Sequence, residues 1–270
     1  MSQRIAFIGG GNMASAIIGG LLQQGFPVVH MDVVEPWAEA RERLERDFQL
    51  SAHAQTGDFL AQADMIVWAV KPQMFKEAAA TVAGLNTRAV HLSVMAGIPS
   101  DSIARATGVD RVVRTMPNTP ALIGKGMTAL FARPAVTAAE RQWATDILAS
   151  TGATVWLDSE AQLDAVTAIS GSGPAYMFFF MEAMTEAGEK MGLTREQAYQ
   201  LAVATFIGAG ELARASTEPP EVLRQRVTSK GGTTYAAITS MEASGVKGAF
   251  VQAMLAAQKR AQELGLEFGI

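Results

Sequence analysis

Cysteine is missing from all 270 residues. Its absence excludes disulfides, thiolate metal sites and a cysteine nucleophile, and favours a cytoplasmic setting over a secreted one. Histidine is scarce: His30, His53 and His91 stand far apart and in no metal-ligand spacing, so no metal site is expected. Long hydrophobic runs are lacking too. The most apolar late stretch, residues 175–181 (AYMFFFM), is stopped by Glu182 and falls well short of the ~20 residues that cross a bilayer. The opening MSQRIAF shows neither the charged n-region nor the cleavage site of a signal peptide. Basic residues are not in excess: the formal net charge is -4 and they are scattered, so neither nucleic acid nor an anionic membrane is an expected partner. Apolar side chains are plentiful, with 49% of residues hydrophobic against 18% charged, which suffices for a substantial core in one large domain or two ordinary ones. The expected partner is a small soluble molecule.

Residues 1–158 alternate short β-branched runs with helical patterns. RIAFI, PVVHMDVV, DMIVWAV, RAVHLSV, RVVRTM and ATVWLD read as strands, with amphipathic stretches at 36–48 and 137–150 among them. Each strand is apolar almost throughout, which predicts helices on both faces: an α/β fold with a Rossmann-type, doubly wound parallel sheet. From residue 159 to 270 the helical period takes over, predicting an all-α C-terminal domain. Ser159-x-x-Gln162 and Thr194-x-x-Gln197 have capping-box spacing. Pro174 suits the first turn of a helix reaching about Met191, Gly192 its C′ position, and a last helix over 246–264 is expected to stop at Gly265. Several of these helices are rich in Ala, Gly, Ser and Met and apolar on more than one face, which predicts a subunit interface; a single compact helical core is the alternative.

After the first strand comes Gly9-Gly10-Gly11-Asn12-Met13-Ala14, a match to G-x-G-x-x-G/A between strand and helix. Gly9 makes the tight turn, Gly11 removes the Cβ that would hold a pyrophosphate away from the helix N-terminus, and Ala14 keeps helix near strand. Asp32 and Glu35 bracket the end of the second strand, where a ribose 2′-hydroxyl of NAD would be held, while Arg41 and Arg43 follow and could serve the 2′-phosphate of NADP. Both coenzymes stay open. Val70-Lys71-Pro72 breaks the chain at a strand's carboxyl end, and residues 116–120 (MPNTP) pin another loop between two prolines at the expected cleft mouth.

FIGGGNMASAII, AVKPQ, MPNTPALI, DAVTAISGSGPAY and VTSKGGTTYAAI, in that order, resemble pyrroline-5-carboxylate reductase over essentially the whole chain. The most specific part is the run from Pro220 to Met241, including Ser229, Gly231, Gly232 and Thr234. The resemblance implies reduction of a cyclic imine carboxylate, 1-pyrroline-5-carboxylate, to L-proline with NADPH, NADH being the other possibility. It implies a cofactor site at Ile8, Gly9, Gly10, Gly11, Asn12, Met13, Glu35, Thr56, Ala69, Val70, Lys71, Pro72, Ala96 and Gly97. It implies substrate binding at Ser229, Gly231, Gly232 and Thr233, with Thr234 the catalytic contact at the imine nitrogen, positioning the ring and relaying a proton. Ser170-Gly171-Ser172-Gly173-Pro174 then lines the cleft where nicotinamide meets substrate, and the helical domain joins two chains or more. Two residues depart from the family pattern: Lys230 stands where proline is common, and Thr56 where asparagine often is.

The chemistry agrees with the residues. Imine reduction needs hydride delivery, a grip on one carboxylate and a polar contact at nitrogen, and no strong base. Amides at a glycine-flanked helix start can supply that grip. A 3-hydroxy acid dehydrogenase would want a catalytic lysine on a helix, for which Lys190 and Lys230 are poorly placed. A non-catalytic redox sensor would explain GGGNMA and leave VTSKGGTT without a purpose.

Overall fold

The computed structural model describes residues 3–50 and 52–269. Eight strands, β1 (Ile5–Ile8), β2 (Met31–Val34), β3 (Ala52–His53), β4 (Met65–Trp68), β5 (Val90–Ser93), β6 (Val112–Met116), β7 (Gly126–Ala132) and β8 (Gly152–Trp156), form one sheet in the order β3-β2-β1-β4-β5-β6-β7-β8. All neighbours are parallel except β6 and β7. The first six strands have the doubly wound Rossmann order, which reverses between β1 and β4 and opens a crevice at their carboxyl ends. Helices α1 (Asn12–Gln23), α2 (Ala38–Phe48), α3 (Phe75–Val82), α4 (Ser100–Thr107) and α5 (Ala138–Ala149) connect these strands.

Two buried clusters explain why the strands are apolar throughout. Ile5 and Phe7 of β1, Met65 and Val67 of β4, and Ile17 and Leu21 of α1 belong to one. Ala6, Ile8, Ile66 and Trp68 alternate into the other, with Phe75, Val82 and Ile103 of α3 and α4. A period of two sends every second side chain to each face, and both faces are dry.

Several boundaries differ from the sequence reading. PVVHMDVV becomes strand only at Met31, because Val28–His30 form a single 3-10 turn. Strands β3 and β7 were not foreseen: β3 is two residues long, and GMTALFA opens on glycine and lacks a β-branched run. The helix at 137–150 is confirmed as α5 with a full capping box from Thr137 and Glu140, while at Ser159 only half a box forms, Ser159 N–H donating to Gln162 Oε1 at 3.1 Å.

The chain separates into two compact units. One holds the sheet, the residues through Ser172 and the chain from Ala257 on; the other is Gly173–Ala256. The expected break at 158 therefore falls inside the sheet unit. Residues beyond it are tied down by a carboxylate: Glu160 accepts from Ser100 N–H at 2.6 Å, Ser100 Oγ at 2.5 Å and the buried Arg114 guanidinium at 3.0 Å, just ahead of the short α6 (Gln162–Val166).

The helical unit contains α7 (Gly173–Lys190), α8 (Arg195–Ala215), α9 (Pro220–Arg226), α10 (Thr233–Ala243) and the start of α11 (Val246–Phe268). Pro174 is in the first turn of α7, Gly192 follows it at φ +94°, and Thr194 with Gln197 completes the predicted capping box of α8. The last helix does not stop at Gly265. It runs on to Phe268, and the glycine at 265 serves a close approach within the sheet unit, since a Cβ there would lie 2.9 Å from Gly97 O. No residue of 173–256 belongs to either hydrophobic cluster, and α10 buries none of its residues. Phe179, Ile207 and Leu212 are each more than half exposed. Helices this apolar and this uncovered need a partner surface.

Candidate active site

The turn after β1 has the geometry that suits an anion. Gly9 sits at φ +100°, its N–H donates to Val34 O at 2.8 Å, and a Cβ there would be 2.8 Å from Ala69 O, so only glycine joins β1 to α1 while touching the β4 end. Gly11 is the N-cap of α1, and its missing Cβ faces open space. The helical ladder starts with Ser15 N–H donating to Gly11 O at 2.9 Å, leaving the Asn12, Met13 and Ala14 amides without partners inside the helix, at its positive end.

Gly10 has a different task. Its N–H is engaged by Glu35 Oε2 at 2.8 Å, and a Cβ would lie 2.6 Å from Leu44 Cδ1, so it lets α2 pack against the loop. Glu35 is buried, and its Oε1 accepts from Trp37 N–H at 3.1 Å. Of the two acids bracketing β2, Asp32 is occupied elsewhere, paired with Arg4 at 3.0 Å and His53 at 3.3 Å. Of the two arginines, Arg41 donates to Glu35 O and Pro36 O at 2.8 and 2.7 Å, while Arg43 faces the crevice.

That crevice has a volume of about 1340 Å³ and is walled by Ile8, Gly9, Gly11, Glu35, Thr56, Ala69, Val70 and Lys71 of the expected set. Thr56 Oγ donates to Thr81 O at 3.0 Å, which joins its two walls. Gly10, Asn12, Met13 and Pro72 adjoin the crevice in the chain without lining it. Ala96 and Gly97 lie in the loop after β5, where Gly97, at φ +78°, packs against Leu264 and Gly265.

MPNTP and SGSGP, expected at the same cleft, are joined by Asn118. Its Nδ2 donates to Ser170 O at 3.2 Å and its Oδ1 accepts from Met127 N–H at 2.9 Å. Residues Thr167–Gly171 form a π-turn, closed by Ser172 N–H donating to Thr167 O at 2.8 Å, a geometry frequent at functional sites. Ser170 Oγ is buried in it without a hydrogen-bond partner among the described residues. Nearby, burial pushes the Asp164 carboxyl above the usual carboxylate range, against the pull of Arg114.

In the helical unit, VTSKGGTT turns from α9 into α10. Gly231 adopts φ +78°, Gly232 is the N-cap, and Thr233 starts the helix. Gly232 N–H donates to Ser229 O at 3.0 Å, so it closes the turn and is not a free donor as expected. The Thr233 and Thr234 amides, at the first two helical positions, have no intrahelical acceptor. Ser229 Oγ lies beside Gly232, where a Cβ would come within 2.9 Å of it. Sequence reasoning missed Trp37 at the crevice, and the Glu160–Arg114–Ser100 cluster, whose members are 60 and 46 residues apart and share no local pattern.

Comparison with known proteins bears on both units. The family model for pyrroline-5-carboxylate reductase dimerisation matches residues 160–264, and that for NADP oxidoreductase coenzyme F420-dependent matches residues 4–97. Pyrroline-5-carboxylate reductase of Pseudomonas aeruginosa is 46% identical over 98% of this chain and 98% of its own length. That of Haemophilus influenzae is 40% identical over 96% and 97%. Among solved structures, a pyrroline-5-carboxylate reductase from Coxiella burnetii superposes with a TM-score of 0.89 at 34% identity, covering 98% of this chain and 99% of that one. A pyrroline carboxylate reductase from Plasmodium falciparum with NADP bound gives 0.87 at 27% identity, covering 97% and 98%.

Proposed function

Because the chain belongs to the pyrroline-5-carboxylate reductase family, we propose that it binds NADPH in the crevice around Gly9–Gly11 and holds 1-pyrroline-5-carboxylate at the start of α10. The protein is an NAD(P)H-dependent oxidoreductase of proline biosynthesis. The observation that carries the residue assignments is the entrance of α10, where two threonine amides stand without intrahelical acceptors behind a glycine pair.

The crevice fits a dinucleotide: open space at Gly11, unpartnered first-turn amides on α1 and a volume of about 1340 Å³ suit a pyrophosphate with its two nucleosides. Bound there, reduced nicotinamide supplies the hydride. The chain's own part is to hold and orient the substrate. The amides of Thr233 and Thr234, aided by the helix dipole, take the substrate carboxylate, and Ser229 adds its hydroxyl from across the turn. The bond from Gly232 N–H to Ser229 O keeps that turn rigid. Thr234 Oγ meets the imine nitrogen, orients the ring and relays the proton that, with the hydride, turns C=N into a secondary amine.

A lysine-dependent hydroxy acid mechanism finds no support, since Lys190 is exposed and paired with Glu186. The uncovered apolar faces of 173–256 support a homodimer, or a larger ring of dimers, formed through the helical unit. The lack of cysteine supports a cytoplasmic site of action, and among the described residues no helix is long and apolar enough to cross a membrane.

The test is loss of reduced-nicotinamide absorbance with racemic pyrroline-5-carboxylate. Thr234→Ala should cut turnover about 10- to 100-fold, as for a lost hydrogen bond to a charged group, with coenzyme affinity nearly unchanged. Thr234→Ser should recover much of the loss. Wild-type turnover in Thr234→Ala would remove that residue from the mechanism.

A further inference from the structure

The turn that leads into α10 has a shape that favours proline, and it carries lysine. Gly232 N–H donates to Ser229 O at 3.0 Å, so residues 229–232 form a β-turn with Lys230 second and Gly231 third. Gly231 has φ +78°, whereas Lys230 does not have a positive φ, since Gln49 alone has one among the described residues other than glycine. That pair of signs belongs to a type II turn. Its third place suits glycine, and its second suits proline, whose ring presets the φ the turn needs. Proline there would also stabilise the fold by restricting the unfolded chain, and this chain forgoes that gain.

What lysine adds is charge. The chain has 26 acidic residues against 22 basic ones, so an approaching anion meets net repulsion. Of the cations between Pro220 and Met241, Arg224 is paired with Glu242 at 3.4 Å, and Arg226 holds Glu218 through both Nη atoms, at 2.6 and 2.7 Å. Lys230 is the remaining one. It is exposed and, among the described residues, makes no hydrogen bond or ion pair. A flexible four-carbon stem lets an ammonium at position 230 reach an anion seated on the helix start three residues on. The Thr233 and Thr234 amides bring dipoles to that place but no net charge, and a full cation beside them strengthens the hold on a carboxylate.

We propose that Lys230 is a substrate-recognition residue of this chain: its ammonium pairs with the substrate carboxylate on the solvent side of the Thr233 and Thr234 amides. The inference rests on the substrate assignment above and deepens it. The carboxylate keeps its charge while the imine is reduced, so the pair is equally strong in ground and transition states and acts on KM and not on kcat. Because the pair is open to water, salt screens it.

Steady-state reduction of pyrroline-5-carboxylate at saturating reduced coenzyme, in about 20 mM and about 500 mM salt, tests this. At the lower salt, Lys230→Met and Lys230→Pro should each raise the KM for pyrroline-5-carboxylate about three- to tenfold, with kcat changed less than about twofold. At the higher salt the gap from wild type should shrink to less than about twofold. Lys230→Arg keeps the charge and should stay within about twofold of wild type throughout. The proline variant separates charge from turn shape. If residue 230 only shapes the turn, proline leaves KM at or below the wild-type value, and that result overturns the proposal. So does a KM ratio of Lys230→Met to wild type that is near one at low salt, or equally large at both salts. A wild type that reduces no pyrroline-5-carboxylate ends the substrate reading and the proposal with it, whereas normal wild-type turnover with an unchanged KM in Lys230→Met ends the proposal alone.

Discussion

Acidification should weaken this fold through one buried histidine. Trp68 Nε1 donates to His91 Nδ1 at 2.8 Å, so the neutral imidazole carries its proton on Nε2, which is buried without a partner among the described residues. A second proton would go on Nδ1 and set two donors face to face in a dry core. Burial first, and the Arg111 charge second, lower the His91 pKa from 6.5 to about 4. The sign follows: the folded chain binds this proton more weakly than the unfolded one, so the contribution is complete above pH 6.5, declines as the pH falls, and is gone below the folded value. At about 1.4 kcal/mol per tenfold change in proton affinity, the whole effect is about 3 kcal/mol, with most of it lost by about pH 4.5. That is a large share of a typical domain's 5–15 kcal/mol or so. Urea unfolding of wild type and His91→Asn, from about pH 7.5 to about 4.5 at one protein concentration, isolates the term, since carboxylates common to both proteins cancel. Asparagine still offers Trp68 an acceptor but does not titrate. The wild type should lose stability relative to the variant across this range, and a difference that stays flat with pH would refute the reasoning.

Two more outcomes follow from close contacts. Gly265→Ala should lower stability by about 1–3 kcal/mol in thermal unfolding, because its Cβ would lie 2.9 Å from Gly97 O in a backbone-to-backbone contact that cannot open cheaply. Glu160→Ala should cost about 3–5 kcal/mol, since it leaves Arg114, whose side chain is only 7% exposed, with no carboxylate nearer than Asp164 at 3.9 Å; Glu160→Gln, which keeps an acceptor for Ser100, should cost less.

Much of the coenzyme half was legible from local pattern. Strands apolar on both faces, glycines at 9 and 11 and a helix behind them are contiguous features, and each acts within a few residues of itself, so the Rossmann unit and its glycine turn follow from the residues in order. The start of α10 at Thr233 was equally local, set by the left-handed turn at Gly231. Strand β3 was too short, and β7 too poor in β-branched residues, to signal themselves.

By itself, then, the sequence determined the fold class, the capped start of α8 at Thr194 and the places where glycine frees the backbone, because those depend on neighbours along the chain. Only the tertiary structure decided that Glu35 braces Gly10, that Arg41 is occupied while Arg43 has no partner among the described residues, that Glu160 reaches Ser100 and Arg114, and that α11 continues past Gly265. These outcomes turn on which of several equally polar or equally small residues meet across tens of positions, and a hydrogen bond or a backbone contact exists only once packing has brought its two halves within about 3 Å.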